Sequence, residues 1–431
     1  MTASFQTRAS RRAVLAGTAA IAGSAALPVG AQVPSGAGKT PDDAAYWAAV
    51  ADQYDVVRDV VQLENGNWGM MARPVLDEYR QRVGFVNRLS SYYARRGMID
   101  DIRAVYARLG QALDADPHDL VMTRNATEAL KGLIGGYNRL KPGDTVLYAD
   151  LDYDSMQACM RSLAKRCGAR VTTIALPEPA TYQRLIDAYA KAFDADPRIR
   201  LVLLTHLSHR TGLVIPVREI VAIARRRGID AIVDAAHSWG QLDFTLPSID
   251  ADFVGLNLHK WMGAPLGVGA MYVRRSRLDA IDPDIANEGT ATGIQARVHT
   301  GTVDFAAQLA VPTALDFQER IGGSAREARL RWLRDRWVAK TCDIDGLDIL
   351  TPDDPRLHSG MTSFRIRGLT SDADNIRVAK ALLDRHRIFT VYRDGVAKGS
   401  CVRVTPALHN NADDVDRLAE ALADVVPRLR A

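Results

Sequence analysis

The chain has 431 residues with an ordinary globular balance, 47% hydrophobic and 25% charged, enough for a large core and two domains. Its formal charge is +4, and taking away the three arginines of the leader (Arg8, Arg11, Arg12) leaves +1, so charge gives no reason to expect nucleic acid or an anionic membrane as partner. Four cysteines (Cys159, Cys167, Cys342, Cys401) form no CxxC pair and no zinc spacing; they allow one disulfide or remain buried thiols.

Residues 1–31 read as a targeting signal. Ser10-Arg11-Arg12-Ala13-Val14-Leu15 matches the twin-arginine pattern, a short stretch rich in Ala and Gly follows (Ala16–Leu27), and Val29-Gly30-Ala31 offers small residues for cleavage. The expectation is a bacterial protein passed, folded, through the twin-arginine (Tat) export machinery to the periplasm or beyond, with no stable membrane anchor. Residues 32–70 form a linker and N-terminal arm, with a short helix from Pro41 to about Val57 and a turn-rich segment at Leu63–Gly69.

Residues 71–305 read as a large domain. Helices at Arg73–Tyr93 and Asp100–Leu113 precede an alternation of short apolar runs and amphipathic helices. Strands are expected near Leu120–Met122, Thr145–Tyr148, Arg170–Ile174, Arg200–Leu204, Ala231–Val233, Asp252–Leu256 and Val268–Val273. Helices are expected near Ala126–Asn138, Ser155–Cys167, Thr181–Phe193 and Val217–Arg227. That alternation predicts an α/β fold, a mainly parallel seven-stranded sheet covered by helices on both faces. Residues 306–431 read as a smaller α+β domain, with helices at Ala306–Glu319, Ala325–Cys342, Asp372–Arg385 and Asn411–Val426 and strands at Met361–Ile366, Ile388–Val391 and Cys401–Val404.

In open α/β sheets functional residues gather beyond the carboxyl ends of the strands, and five such ends here carry polar residues. Thr123-Arg124-Asn125-Ala126-Thr127-Glu128 opens a helix whose free N–H groups suit a phosphate or, equally, a plain Asn125 cap. Tyr153 lies at a strand-to-helix turn, placed to stack on a flat ring or simply to close the turn. In Thr205-His206-Leu207-Ser208-His209, no carboxylate or cysteine at ligand spacing supports a metal, and His209 is better used on a ligand hydroxyl. Asp234, followed by Ala235-Ala236-His237, ends an apolar strand, where a carboxylate is costly unless it faces a cation. Twenty-six residues later His259-Lys260 ends another strand. A protonated pyridine nitrogen facing Asp234 and an aldehyde on Lys260 would answer both problems, as in pyridoxal-phosphate chemistry.

The chain resembles the class V aminotransferase family of fold-type I pyridoxal-phosphate enzymes, and most of all its isopenicillin N epimerase-like branch. The matching stretches are LENGNWG (63–69), RNATEAL (124–130), LDYDSM (151–156), THLSHRTG (205–212), VDAAHSWGQ (233–241), LHKWMGAPLGVGAMYV (258–273), GTVDF (301–305) and RVTPALHN (403–410). The resemblance implies that Lys260 forms the Schiff base with pyridoxal 5'-phosphate and that Asp234 pairs with its ring nitrogen. It implies that Tyr153 stacks on the ring, where desulfurase relatives carry a histidine, and that Ala126, Thr127 and His259 reach the phosphate. It places His237 and His209 near the ring hydroxyl and Thr302 at the phosphate of a neighbouring subunit, hence a homodimer. Arg403, with Asn67 nearby, is implied to hold a substrate α-carboxylate, a task suited to a bidentate guanidinium.

Desulfurase relatives carry a nucleophilic cysteine on a loop before that arginine. Here Tyr392–Ser400 has none, and Cys401 lies in the same strand as Arg403. The expected activity is therefore that of an exported enzyme acting at the α-carbon of an amino acid or amino-acid-containing compound, by transamination or epimerisation. A lyase or an enzyme modifying siderophore or peptide side chains is the alternative, and an exported binding protein of the same fold is the non-enzymatic one.

Overall fold

Strands with apolar side chains on both faces need cover on both sides, and the computed structural model provides it. The structure describes residues 33–287 and 292–430; the leader read at 1–31 lies outside the described residues. After helix α1 (Ala44–Ala51), a short strand β1 (Val61–Gln62) and helices α2 (Arg73–Arg96) and α3 (Met98–Leu113) comes a sheet of seven strands: β2 (Leu120–Thr123), β3 (Thr145–Ala149), β4 (Arg170–Ile174), β5 (Ile199–Thr205), β6 (Asp230–Ala235), β7 (Phe253–Asn257) and β8 (Gly269–Val273). Their order is β2-β8-β7-β6-β5-β3-β4. Every neighbouring pair is parallel except the two that β8 makes, with β7 and with β2.

Because successive side chains alternate between faces, Val202, Leu204, Val233 and Leu256 pack into one core, while Leu201, Leu203, Ile232 and Phe253 pack into another on the opposite side. Helices α4 (Ala126–Gly136), α5 (Asp154–Cys167), α6 (Tyr182–Ala195) and α7 (Val217–Arg226), with the single turn α8 (Leu246–Ile249), run between the strands. Only β4 is largely exposed, and as an edge strand it carries the polar residues Arg170, Thr172 and Thr173.

The remaining elements are helices α9 (Phe305–Leu309), α10 (Val311–Ile321) and α11 (Gly323–Thr341), strands β9 (Leu347–Ile349) and β10 (Thr362–Ile366), helix α12 (Asp372–His386), strands β11 (Ile388–Phe389), β12 (Val391–Arg393) and β13 (Cys401–Val404), and helix α13 (Ala412–Arg430). Strands β12-β13-β10-β9 form an antiparallel sheet. Behind it Leu333, Trp337, Val378, Leu382, Leu418 and Leu422 share a separate core with Val61 and Leu63 of the N-terminal arm.

Several expectations are corrected. The helix expected over Ala306–Glu319 is two, separated at Ala310, because Pro312 lacks an N–H and belongs in a first turn. These helices join the core of α3 through Val311, Leu315 and Ile321 rather than the C-terminal core, so the change of texture at Phe305 does not mark a change of core. The run Ile388–Val391 is split between two sheets: β11 pairs parallel with β1, and β12 pairs antiparallel with β13. The helix begun at Pro41 is shorter, capped by the Asp43 side chain on the Tyr46 N–H and ended at Asp52. Strands β1 and β9 are too short to announce themselves by alternation. Among the described residues no helix is long and apolar enough to cross a membrane.

Candidate active site

The carboxyl ends of β2, β3, β5, β6 and β7 face one cavity of about 390 Å³, a common size for a small-molecule site. Asn125, Ala126, Thr127, Tyr153, His209, Asp234, His237, His259, Lys260 and Arg403 all line it, as do Asn67 and Gly66 of the N-terminal arm. Thr302 alone of the expected residues does not; it is exposed, away from this cavity.

Lys260 lies in the loop between β7 and its antiparallel neighbour β8. Its Nζ is 2.8 Å from Nε2 of His237. Burial, reinforced by the charge of Arg403 and opposed by Asp234, lowers its amine to a pKa of about 7. Burial and the Lys260 charge also hold His237 well below the usual histidine range, so the ring is neutral. Trp261 Nε1 donates to its Nδ1 at 3.5 Å, which leaves the ring hydrogen on Nε2, facing Lys260. His209 is likewise kept neutral by burial and by the charge of Arg210, and its Nδ1 is buried without a partner. Tyr153, N-cap of α5, sets its ring edge-on to His209 at 5.2 Å.

Asp234 ends β6 and is 5% exposed. Its Oδ1 accepts from the Ala236 N–H at 2.9 Å, and no protein donor reaches Oδ2 among the described residues. Burial raises its pKa, with the Ala236 N–H and Lys260 opposing. A cation beside Oδ2 would complete the set. Beneath it, fully buried Asp152 accepts from the Thr205 N–H and hydroxyl and from the Ala149 N–H, and burial lifts it to about 7.

At the start of α4 the Asn125 side chain caps the Glu128 N–H at 2.8 Å. The Ala126 N–H is already given to Asn257 Oδ1 at 2.7 Å. That corrects the expected phosphate contact at Ala126, whose amide is spoken for; Thr127 keeps its N–H and hydroxyl. His259 donates from Nδ1 to the Val268 carbonyl at 2.9 Å, so its Nε2 donates to an anion only when the ring is protonated.

Arg403 holds the largest surprise. It is 1% exposed, and its Nη2 contacts both oxygens of Glu64 at 2.6 and 2.9 Å while Nη1 donates to the His209 carbonyl at 2.6 Å. Burial alone would raise the Glu64 carboxyl, but Arg403, by charge and hydrogen bond, outweighs it and leaves it below the ordinary value. Glu64 also accepts from the Asn67 N–H at 2.8 Å, and a side chain in place of Gly66 would collide with the Arg403 guanidinium. Arg393, at the end of β12, stands beside the pair with Nη2 3.7 Å from Glu64 Oε1. Cys401 is fully buried, does not line the cavity, and has its thiol pushed by burial to about 11. All four cysteines are free.

Sequence reasoning missed Glu64, Arg393, Asn257 and Asp152. Glu64 follows Val60-Val61-Gln62-Leu63, a run broken by one polar residue and so a weaker form of the signal that singled out Asp234. Asn257 and Asp152 act on backbone amides, which leaves no mark in residue type.

The aminotransferase class-V family model matches residues 72–418. The chain belongs to that family of pyridoxal-phosphate-dependent enzymes. Isopenicillin N epimerase of Streptomyces clavuligerus is 32% identical over 331 residues, covering 73% of this chain and 82% of the relative. A probable cysteine desulfurase of Vibrio cholerae is 26% identical over 325 residues, 72% of this chain and 79% of that one. Among solved structures, a C-DES mutant with glycine covalently linked to its PLP cofactor superposes with a TM-score of 0.74 at 20% identity, over 87% of this chain and 99% of that one. The residues here fit the cofactor. An unclaimed buried carboxylate oxygen, a lysine held near neutrality, an unpartnered buried His209 nitrogen and a helix start with a free N–H and hydroxyl at Thr127 match its ring nitrogen, aldehyde, ring hydroxyl and phosphate.

Proposed function

We propose that this enzyme acts at the α-carbon of an amino acid or an amino-acid-containing compound, by transamination or epimerisation, with Lys260 as the residue that tethers the cofactor and then moves the α-proton. Bound pyridoxal phosphate supplies an aldehyde that joins an amine and a protonated ring that takes up the electron pair left at carbon. Asp234 Oδ2 holds the proton on the ring nitrogen. Thr127, at the start of α4, would hold the phosphate, joined by His259 when its ring is protonated, and Tyr153 would cover one face of the ring. The substrate carboxylate is drawn to the arginine end of the cavity. Lys260 Nζ, unprotonated above about pH 7, accepts the α-proton, and neutral His237, its Nε2 2.8 Å away, orients the amine.

The observation that carries this reading is the near-neutral Lys260 amine beside the buried, half-claimed Asp234 carboxylate. Borohydride treatment of the loaded protein should fix the cofactor on the peptide containing Lys260, read by mass spectrometry. Amino acids screened in heavy water should exchange their α-proton, giving keto acid for transamination or inverted product for epimerisation. Cofactor fixed elsewhere, or no α-exchange with any amino compound, would overturn it. Lyase chemistry, suggested by the desulfurase-like relatives, is the second reading. A persulfide route is opposed by the burial of Cys401 and its raised pKa.

We further propose twin-arginine export, supported by Ser10–Leu15, and a homodimer in which exposed Thr302 reaches the second copy's phosphate. Cell fractionation and sedimentation test them; a cytoplasmic protein or a monomer under assay conditions counts against each.

A further inference from the structure

The resemblance gives the substrate carboxylate to Arg403. In this chain that guanidinium is already engaged: Nη1 bonds the His209 carbonyl, Nη2 bonds both oxygens of Glu64, only Nε lacks a partner and it is buried, and the side chain is 1% exposed. A substrate carboxylate would have to evict a buried carboxylate of its own kind. Beside the pair stands Arg393. Its side chain is 27% exposed and lines the cavity. Its Nη1 donates only to the neighbouring Tyr392 carbonyl at 3.2 Å, its Nη2 is 3.7 Å from Glu64, beyond hydrogen-bond reach, and its Nε is buried with no partner. A guanidinium with unspent donors in a fixed fork is the natural seat for one carboxylate. Arg403, Arg393 and Glu64 together carry one net positive charge, which a single carboxylate balances. The other acids at this end are otherwise disposed: Asp154 is bound by Arg210, and exposed Asp394 makes no ion pair with Arg393 among the described residues.

We propose that Arg393 is the residue that receives the substrate's carboxylate, and that Arg403, locked by Glu64, is a positioning residue that fixes Glu64 and the His209 loop around it. This rests on the reading of the cavity as a pyridoxal-phosphate site for amino acids. It makes β12, which carries Arg393, the specificity strand. Gly395 just beyond it takes φ +74° and lies so close to Arg210 that any side chain there would strike the guanidinium, so the turn that presents Arg393 is itself braced from β5's loop.

The test needs no knowledge of the substrate. Aminooxyacetate and methoxyamine both attack the cofactor carbon that is joined to Lys260 and release the lysine amine from it, and they differ by one carboxylate. Their rates of reaction with the holoenzyme are followed through the cofactor's visible absorbance. The wild type should prefer aminooxyacetate by about ten- to a hundredfold, the range expected of a charge-assisted hydrogen-bonded contact. Arg393→Met should reduce the ratio to within about twofold of unity by slowing aminooxyacetate alone, and Arg393→Lys should restore part of it. In the Glu64→Gln/Arg403→Met double variant, which leaves no buried charge unpaired, most of the preference should survive. Retention of the preference in Arg393→Met, or its loss in the double variant with Arg393 intact, overturns the assignment. A wild type that reacts with both probes but shows no preference also overturns it while sparing the cofactor reading; a wild type that shows no cofactor absorbance sinks both.

Discussion

Lys260 is a lysine whose surroundings work against its charge. Burial and Arg403 disfavour the ammonium more than Asp234 supports it, so its pKa falls to about 7. The amine form therefore dominates above that pH and gives way to the unreactive ammonium below it. Uptake of pyridoxal phosphate by the cofactor-free protein should accelerate as pH rises through about 7 and level off above, measured as growth of the visible band. A midpoint near the ordinary lysine value would show that the charges around Lys260 are not those described. The sign for stability is the same: the unfolded chain holds the Lys260 proton up to a higher pH than the folded one, so this group's penalty eases as pH climbs from about 7. At this scale Asp234 and Lys260 were legible because one is a charged side chain at the end of an apolar strand and the other follows such a strand closely, costly placements that demand a partner. Arg403 was legible as a cation but its occupation by Glu64 was not, since the partner lies 339 residues away and nothing local specifies the meeting.

At the scale of elements, the site depends on how strand ends are fastened to helix starts. Asn257, last residue of β7, spends its side-chain oxygen on the first N–H of α4, tying the strand that precedes Lys260 to the helix proposed to hold the phosphate. Asn257→Ala leaves that amide buried and unpaired. It should lower stability by about 1–3 kcal/mol in urea titration and weaken cofactor retention on dialysis, whereas a variant unchanged in both would show that the tie is incidental. The buried strands of the large sheet announced themselves as near-continuous apolar runs, and the helices between them by periodicity. What failed to show was short or interrupted: β1 and β9 are two and three residues long, and Thr390 parts a single apolar run into strands of two different sheets. Arg393 was overlooked for that reason, being read as loop.

At the scale of the molecule, Glu64 connects the N-terminal arm, the C-terminal sheet and the cavity. Glu64→Ala strands Arg403 as a buried, unpaired cation, and a loss of about 3–5 kcal/mol is expected in equilibrium unfolding, with Glu64→Gln milder. Because the Glu64 carboxyl is held below its ordinary value of 4.5, its contribution is present above that pH and disappears as pH falls through the lowered value. The wild type should therefore lose stability relative to Glu64→Gln on acidification below about 4.5; parallel acid profiles would refute the pairing as a source of stability.

The arm's attachment also sets an order of events. Val61 and Gln62 pair with Ile388 and Phe389, and Asn65 donates to Thr405, 340 residues further on. A ribosome delivers the second partner 340 residues after the first. The pocket is unfinished over that whole interval, and the segment holding Glu64 waits for Arg403 to be made. Closure between such distant segments is slow relative to local helix formation, which makes capture of the cofactor a step that follows synthesis of the second partner.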